Sequence, residues 1–505
     1  MKRKILAILL SVTAAVTMLT GCGTSSKKEV KNTEVTASKS TEGKTPKYVF
    51  LFIGDGMSSV QINATQVYRG NNTSGQIATK PLNFTGFPAV GLATTFDATS
   101  FCPDSASTGT SISSGVKTHS GVIGLNVDKT TKPESITEKL KAAGKKIGIV
   151  STVTINHATP AAFYAHVPSR NDYYDIAMQL PESNFDYFGG GSIYKATGDK
   201  KDKQDAYEVI KSKGYTIANK KEDIQKLDSS SNKVYAVTPV TEDSGSMPYT
   251  IDTKDGDLTL ADYVSKGIDI LDNDKGFFLM CESGKIDWAC HANDAMSAIK
   301  EVIGLESAVQ KAIDFAGKHP DETLILVTGD HETGGMTIGY AATGYNTAFN
   351  ILDKQKISYI AFDTLISKKK EANPNISFEE VMPMIKENFG LIAPGDADAN
   401  VEANKPYVLT SYEYQKLQNA FAESMKKADQ RTKNEETAVL YGEYDPLSVT
   451  ITHIINNKAG IGWTSYSHTG TPVPVYAYGA SSEIFEGSYD NTDIFKKLVD
   501  VCKVK

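Results

Sequence analysis

Three short apolar runs in this chain stop abruptly at acids or histidines. Tyr48-Val49-Phe50-Leu51-Phe52-Ile53-Gly54 is followed by Asp55 and Gly56. Phe277-Phe278-Leu279-Met280-Cys281 is followed by Glu282, and Leu324-Ile325-Leu326-Val327-Thr328-Gly329 by Asp330 and His331. Continuous apolar runs of this length predict strands buried on both faces, as in a parallel sheet. Lys146-Ile147-Gly148-Ile149-Val150-Ser151-Thr152-Val153 has the same character. Helical periodicity recurs between such runs, over residues 135–143, 260–271, 295–316 and 493–501. Strands and helices therefore alternate, and the expected fold is α/β, a largely parallel central sheet with helices on both faces. Ligands of such sheets bind beyond the carboxyl ends of the strands, where these acids lie. A single acid after a strand is ordinarily a helix cap. Three such ends, with histidines among them, predict a site for several cations, because clustered carboxylates repel one another unless cations offset them.

The second run continues into Asp287 and His291, four residues apart. On a helix both point the same way, and carboxylate plus imidazole is a zinc-binding pair. The plain alternative is a capped helix with surface charges. Pro103-Asp104-Ser105-Ala106 reads as a loop entering a helix near Ser105. A helix start offers free N–H groups to an anion. A serine there can act as nucleophile if a metal ion or a histidine lowers its pKa; the alternative is a simple cap. Gly109 and the many Ser and Thr residues make this a mediocre helix by propensity. In Asn156-His157-Ala158-Thr159-Pro160, Pro160 fits the first turn of a further helix and Thr159 its cap. Arg170 has the planar fork that grips two phosphate oxygens at once. His468 precedes a strand-like run, Val473 to Gly479. A lone loop histidine is ordinarily no ligand; this one becomes a candidate because Asp287 and His291 still need a third protein ligand for a catalytic zinc.

Taken together, these motifs closely resemble the alkaline phosphatase family. The resembling segments are Phe52-Ile53-Gly54-Asp55-Gly56-Met57, Asp104-Ser105-Ala106, Gly115-Val116-Lys117-Thr118, His157-Ala158-Thr159-Pro160-Ala161, Ser169-Arg170, Glu282 to His291, Thr328-Gly329-Asp330-His331 and His468-Thr469-Gly470. They occur in the family's order and span most of the chain outside residues 340–463. The resemblance implies a zinc held by Asp287, His291 and His468. It implies a second zinc held by Asp55, Asp330, His331 and the nucleophile Ser105, and a magnesium site made of Asp55, Thr159 and Glu282. Arg170 would clamp the phosphate. The implied activity is hydrolysis of small phosphate monoesters through a phosphoserine on Ser105, with weak leaving-group selectivity. Two positions depart from other members: His157 stands where some have Asp, and Trp288 where others have Lys or His. An imidazole there removes negative charge beside the third site, so looser magnesium or a different metal is expected. Trp288 either lines the substrate cleft or packs.

The start of the chain reads as a lipoprotein leader over residues 1–21. It has a basic Lys2-Arg3-Lys4, an apolar stretch from Ile5 to Met18, and Leu19-Thr20-Gly21-Cys22, which resembles a bacterial lipobox. Lipidation of Cys22 would anchor the enzyme to the outer face of the cell membrane. Residues 22–47, rich in Ser, Thr, Lys and Glu, read as a flexible tether, and the catalytic domain as 48–505. The formal net charge of −7 argues against nucleic acid as the main partner. Beyond Cys22, four cysteines remain, too few for a disulfide scaffold. Residues 340–463 carry no recognisable chemistry. They read as an inserted cap or crown that tunes substrate access or the contacts of a homodimer. Within it, residues 411–428 and 378–389 have helical patterns, the latter broken or kinked by Pro383 unless that proline lies in the first turn. Two other readings compete: a phosphodiesterase or sulfatase of the same superfamily, and a non-catalytic phosphate- or metal-binding lipoprotein. Cys102-Pro103-Asp104-Ser105 does not fit the sulfatase pattern.

Overall fold

The computed structural model describes residues 43–71 and 76–505. Ten strands make one sheet: β1 (Tyr48–Gly54), β2 (Ala89–Thr94), β3 (Lys146–Ser151), β4 (Tyr187–Gly190), β5 (Thr216–Ala218), β6 (Val234–Val237), β7 (Phe277–Ser283), β8 (Thr323–Gly329), β9 (Val473–Gly479) and β10 (Gly487–Asp490). Their order is β10-β2-β9-β8-β1-β7-β3-β4-β6-β5. Only β9 runs against its neighbours, antiparallel to both β8 and β2. The apolar runs become strands because both of their faces are covered. Val49, Leu51 and Ile53 enter one core, while Tyr48, Phe50 and Phe52 enter the other. Successive side chains of a strand point to opposite faces, and each fully buried one contributes about 1.5–3 kcal/mol.

The register sets the site. Gly54 pairs with Ser283 on one side and Gly329 on the other, and Ser151 pairs with Glu282. Strands β8, β1, β7 and β3 therefore end level and side by side. The reversed β9 places its amino end at the same edge, so His468, just upstream of it, arrives there too. A two-residue antiparallel pairing of His468–Thr469 with Glu332–Thr333 fixes that arrival.

The periodic segments form helices at Ile136–Ala142, Leu260–Leu271, Ala295–Ala316 and Thr492–Cys502. Two expectations are corrected. The helix around Thr159 runs Ala158–Ala161 with His157 at its cap position, so Thr159 lies inside the first turn and is not the cap. Phe378–Phe389 is one helix despite Pro383 in its interior. A Ser377/Glu380 capping box starts it, and Phe378, Val381, Met382, Ile385 and Phe389 are buried along it. That burial and capping outweigh the hydrogen bond the proline forgoes.

Residues 340–463 form helices including Tyr359–Ala372, Ser411–Met425, Glu435–Tyr441 and Pro446–Ala459. The helices Tyr359–Ala372, Phe378–Phe389, Ser411–Met425 and Pro446–Ala459 share an apolar cluster around Phe362, Val381, Leu417 and Ile451. The segment is tied to the sheet edge at Asn293, whose backbone oxygen accepts from Asn456 Nδ2 at 2.6 Å and whose Oδ1 lies 2.9 Å from His453 Nε2.

The docked chain begins before residue 48. Gly43 N donates to Glu483, Lys44 pairs with Asp321 at 2.8 Å, and Lys47 N donates to Glu322 O at 2.8 Å. Residues 43–47 are thus held against the domain rather than forming the end of a tether. The leader, Cys22 and the rest of the expected tether lie outside the described residues. No helix among the described residues is long and apolar enough to cross a membrane. Cys102, Cys281, Cys290 and Cys502 are free thiols, with Cys281 buried in β7.

Candidate active site

Ser105 opens a ten-residue helix, Ser105–Ser114, every residue of which is buried. Composition alone does not favour this helix; its surroundings do. Asp104 caps it by accepting from Ser107 N at 3.0 Å, a contact worth about 1 kcal/mol. Thr108, Thr110 and Ser111 return their hydroxyls to carbonyls four residues back. Gly109 lets the helix pack closely on the Thr159 turn, since a Cβ there would stand 3.0 Å from Ala162 Cβ and 3.4 Å from Thr159 Cα. The helix start holds Ser105 Oγ 3.2 Å from His331 Nε2. Asp104 also takes Arg170 Nη1 at 2.8 Å. Burial would raise Asp104, but the Arg170 guanidinium together with the Gly121 and Ser107 backbone N–H groups outweighs it and holds the carboxyl below its ordinary range.

Three clusters of metal-capable side chains surround this point: Asp287 with His291 and His468, Asp55 with Asp330 and His331, and Asp55 with His157 and Glu282. Asp287 and His291 lie on the helix Lys285–His291, as their spacing predicts. Gly56, at φ +71°, lets β1 turn beneath that helix; a Cβ there would meet Asp287 Cα at 2.9 Å. Thr159 Oγ1 donates to Asp55 Oδ2 at 3.3 Å, and Thr108 Oγ1 to Asp330 Oδ2 at 3.0 Å.

The hydrogen-bond network assigns the imidazole tautomers. His291 Nδ1 lies 2.5 Å from Tyr466 O, and His468 Nδ1 lies 2.5 Å from Pro103 O. A carbonyl only accepts, so both Nδ1 atoms carry a proton, and in the neutral rings both Nε2 atoms present lone pairs. Those Nε2 atoms are 3.3 and 3.5 Å from the Asp287 carboxylate. Thr333 Oγ1 donates its single proton to Asp287 Oδ1 at 2.5 Å and so accepts from His331 Nδ1 at 3.3 Å. His331 Nε2 is thereby also a lone pair, 3.3 Å from Asp55 Oδ1 and 3.5 Å from Asp330 Oδ2. Thr333 is the site residue that sequence reading missed. Its only signal is position, two residues beyond His331 on the same side of an extended segment.

Charge tells the same story. Burial, with the charges of Asp330, Asp287 and Glu282, pushes Asp55 well above the carboxylate range. Burial likewise raises Glu282, and burial with Asp287 raises Asp330. Burial opposes ionisation of Asp287 too, but His291, His468 and His331 outweigh it and hold this carboxyl low. Burial and then Arg170 bring His157 down to about 3, leaving it neutral. Arg170 Nη2 donates to His157 Nε2 at 3.3 Å. The buried atoms Asp55 Oδ1 and Glu282 Oε1 find no hydrogen-bond partner among the described residues. Oxygen and imidazole lone pairs crowded in this way fit divalent cations.

A cleft of about 1170 Å³ opens onto this point, lined by Ser105, Arg170, Asp287, His291 and His468 among others. Trp288 lines it and also packs on the core and edge-on to His157. Residues of the 340–463 segment, including Tyr444 and Trp463, complete its wall.

The family model described as alkaline phosphatase matches residues 46–504. The chain belongs to the alkaline phosphatase family. It is a phosphomonoester hydrolase, and the family is metal-dependent. Alkaline phosphatase 4 of Bacillus subtilis is 34% identical, over 99% of this chain and 97% of that protein. The cold-active alkaline phosphatase of a psychrophilic Shewanella is 27% identical with a TM-score of 0.72, over 90% of this chain and 99% of that one. A variant of the alkaline phosphatase from the Antarctic bacterium TAB5, in which a histidine is replaced by aspartate, has Mg bound in its M3 site. It is 27% identical with a TM-score of 0.62, over 92% of this chain and 99% of that one.

Proposed function

We propose that Ser105 is the nucleophile and that hydrolysis passes through a phosphoserine at this position. The observation that carries this is the approach of Ser105 Oγ to His331 Nε2 at a helix start, buried beside Asp55 and Asp330. In this reading Asp287, His291 and His468 hold one zinc ion, and Asp55, Asp330, His331 and Ser105 a second. Asp55, Thr159 and Glu282 hold magnesium. Bound there, such ions supply Lewis acidity, easing loss of the serine proton and offsetting charge on the leaving oxygen.

The chain's own groups do the rest. Ser105 Oγ forms a bond to phosphorus as the ester P–O bond breaks. Arg170, held in place by Asp104, hydrogen-bonds the non-bridging oxygens, and the free N–H groups of the helix start share that charge. Water then attacks phosphorus, Ser105 oxygen leaves, and inorganic phosphate is released. His157, neutral and beside Arg170, adds no negative charge to the third site, so magnesium is held loosely there.

The same reading places the enzyme outside the cytoplasm, tethered through a lipid on Cys22, so that phosphate is released beyond the membrane.

Phosphate release from a nitrophenyl monoester and its diester, with chelator and after zinc is restored, tests the reading. Monoester turnover should vanish with chelator and return with zinc. Chelator-resistant turnover, or a diester preference, would overturn it.

A further inference from the structure

The cleft treats the two ends of its substrate differently. Arg170 is the one lysine or arginine among the described residues that line it. Away from the phosphate-binding groups, aromatic rings and acids stand among small and neutral polar residues. Trp288, Tyr359, Tyr444 and Trp463 contribute rings, and Asp243, Glu435 and Glu443 contribute carboxylates. Tyr359 and Tyr444 meet edge to face at 5.7 Å, and Tyr444 continues to Tyr466 at 6.2 Å. Tyr466 is joined to the catalytic centre through its backbone oxygen, which accepts from His291. None of the three acids enters an ion pair among the described residues, although acids elsewhere on the surface commonly do.

Asp243 is also held in place. Glu242 accepts the fully buried Lys285 ammonium at 2.9 Å and Tyr249 N at 3.0 Å. Lys285, whose ammonium lies 5.9 Å from the centroid of the Trp288 ring, is therefore already committed to Glu242. Ser244 sits at φ 57°, ψ 13°, a left-handed conformation that a serine adopts at a cost. The strained turn keeps Asp243 on the cleft wall. Its charge reaches the tyrosines: burial first, then Asp287, Asp243 and Glu443, push the Tyr444 hydroxyl up.

We propose that the leaving-group end of this cleft selects phosphate monoesters of amino or quaternary-ammonium alcohols over those with neutral or anionic leaving groups. Aromatic faces attract a cation through their quadrupole, most strongly when desolvated, and quaternary ammonium ions are recognised by such cages. Unpaired carboxylates beside the rings add attraction for a cation and repel a leaving group that carries a second phosphate. The inference rests on the phosphomonoesterase reading and deepens it.

The test compares kcat/KM of the metal-supplied enzyme for phosphocholine, its neutral isostere 3,3-dimethylbutyl phosphate, and propane-1,3-bisphosphate. The expected order is cation, neutral, anion, with about fivefold between the first two, corresponding to the ~1 kcal/mol of a partly exposed cation–π contact. High salt should shrink that ratio, and so should Asp243→Asn combined with Glu443→Gln. Reading the ratio within each variant removes any general loss of activity. A second readout needs no turnover. The chain has two tryptophans, Trp288 and Trp463, and both line the cleft. Choline should therefore change intrinsic fluorescence saturably, while 3,3-dimethylbutanol at the same concentrations should not. Equal kcat/KM for the three esters, or identical fluorescence titrations, would overturn this inference alone. Absence of phosphate release from all three would overturn the phosphatase reading with it.

Discussion

His291 Nε2 and His468 Nε2 lie 3.0 Å apart, and each ring has its Nδ1 proton bound to a backbone carbonyl. Two nitrogen lone pairs at this distance repel unless a cation or a proton lies between them. Asp287, on the same side, adds a carboxylate. The pair is preorganised: one histidine comes from a helix and the other from a two-residue strand pairing.

His468→Ala should therefore remove a ligand without disturbing the sheet. Zinc content should fall by one ion per chain and kcat/KM by at least ~100-fold, since even partners one step removed from a metal cost 10–100-fold. Elemental analysis and phosphate release check both. Full zinc content in the variant would remove His468 from the ligand set.

His157→Asp should tighten magnesium. The substitution returns a negative charge beside Glu282 and Asp55 and near Arg170. Dialysis against metal-free buffer should leave stoichiometric magnesium on the variant and deplete the wild type. Equal retention by both proteins would remove the proposed effect of His157.

Stability should depend on pH through Glu138 and His166, which pair at 3.1 Å far from the metal-binding groups. Burial opposes the Glu138 charge, but His166 and the hydrogen bonds from Ser135 together outweigh it and bring the carboxyl to about 2, below its usual 4.5. That contribution is present above pH 4.5 and is lost as pH falls through about 2. Burial opposes the His166 charge as well, but Glu138 and the Gly124 carbonyl raise it above 6.5. Its contribution is complete below pH 6.5 and fades as pH rises through the raised value. Glu138→Gln should thus cost most, about 1 kcal/mol after allowance for its partial exposure, between pH 4.5 and 6.5. Denaturant melts across pH check this; a constant difference up to pH 9 would contradict it.

The strand ends were legible because a run buried on both faces has an unmistakable composition, and because Asp55, Glu282 and Asp330 stand out directly after such runs. Asp287 and His291 were legible from helical spacing. His468 was placed by resemblance alone, since its position depends on the reversed β9 and on pairing with Glu332–Thr333. Thr333 was invisible because a threonine acquires meaning only when its single proton is committed to Asp287. Thr159 was misread as a cap because capping depends on backbone geometry one or two residues either way. Pro383 misled because propensity is local, whereas burial of Phe378 and Phe389 is not. The cleft wall of Trp288, Tyr444 and Asp243 comes from segments far apart in the chain, so no single motif announces it.

The central claim is that Ser105 carries the phosphoryl group. Acid quench of the zinc-supplied enzyme shortly after mixing with a radiolabelled monoester, followed by peptide mapping, tests it most directly. The account predicts label on Ser105 in the wild type and neither label nor burst in Ser105→Ala. An undiminished burst in Ser105→Ala, or label on another residue, would contradict it.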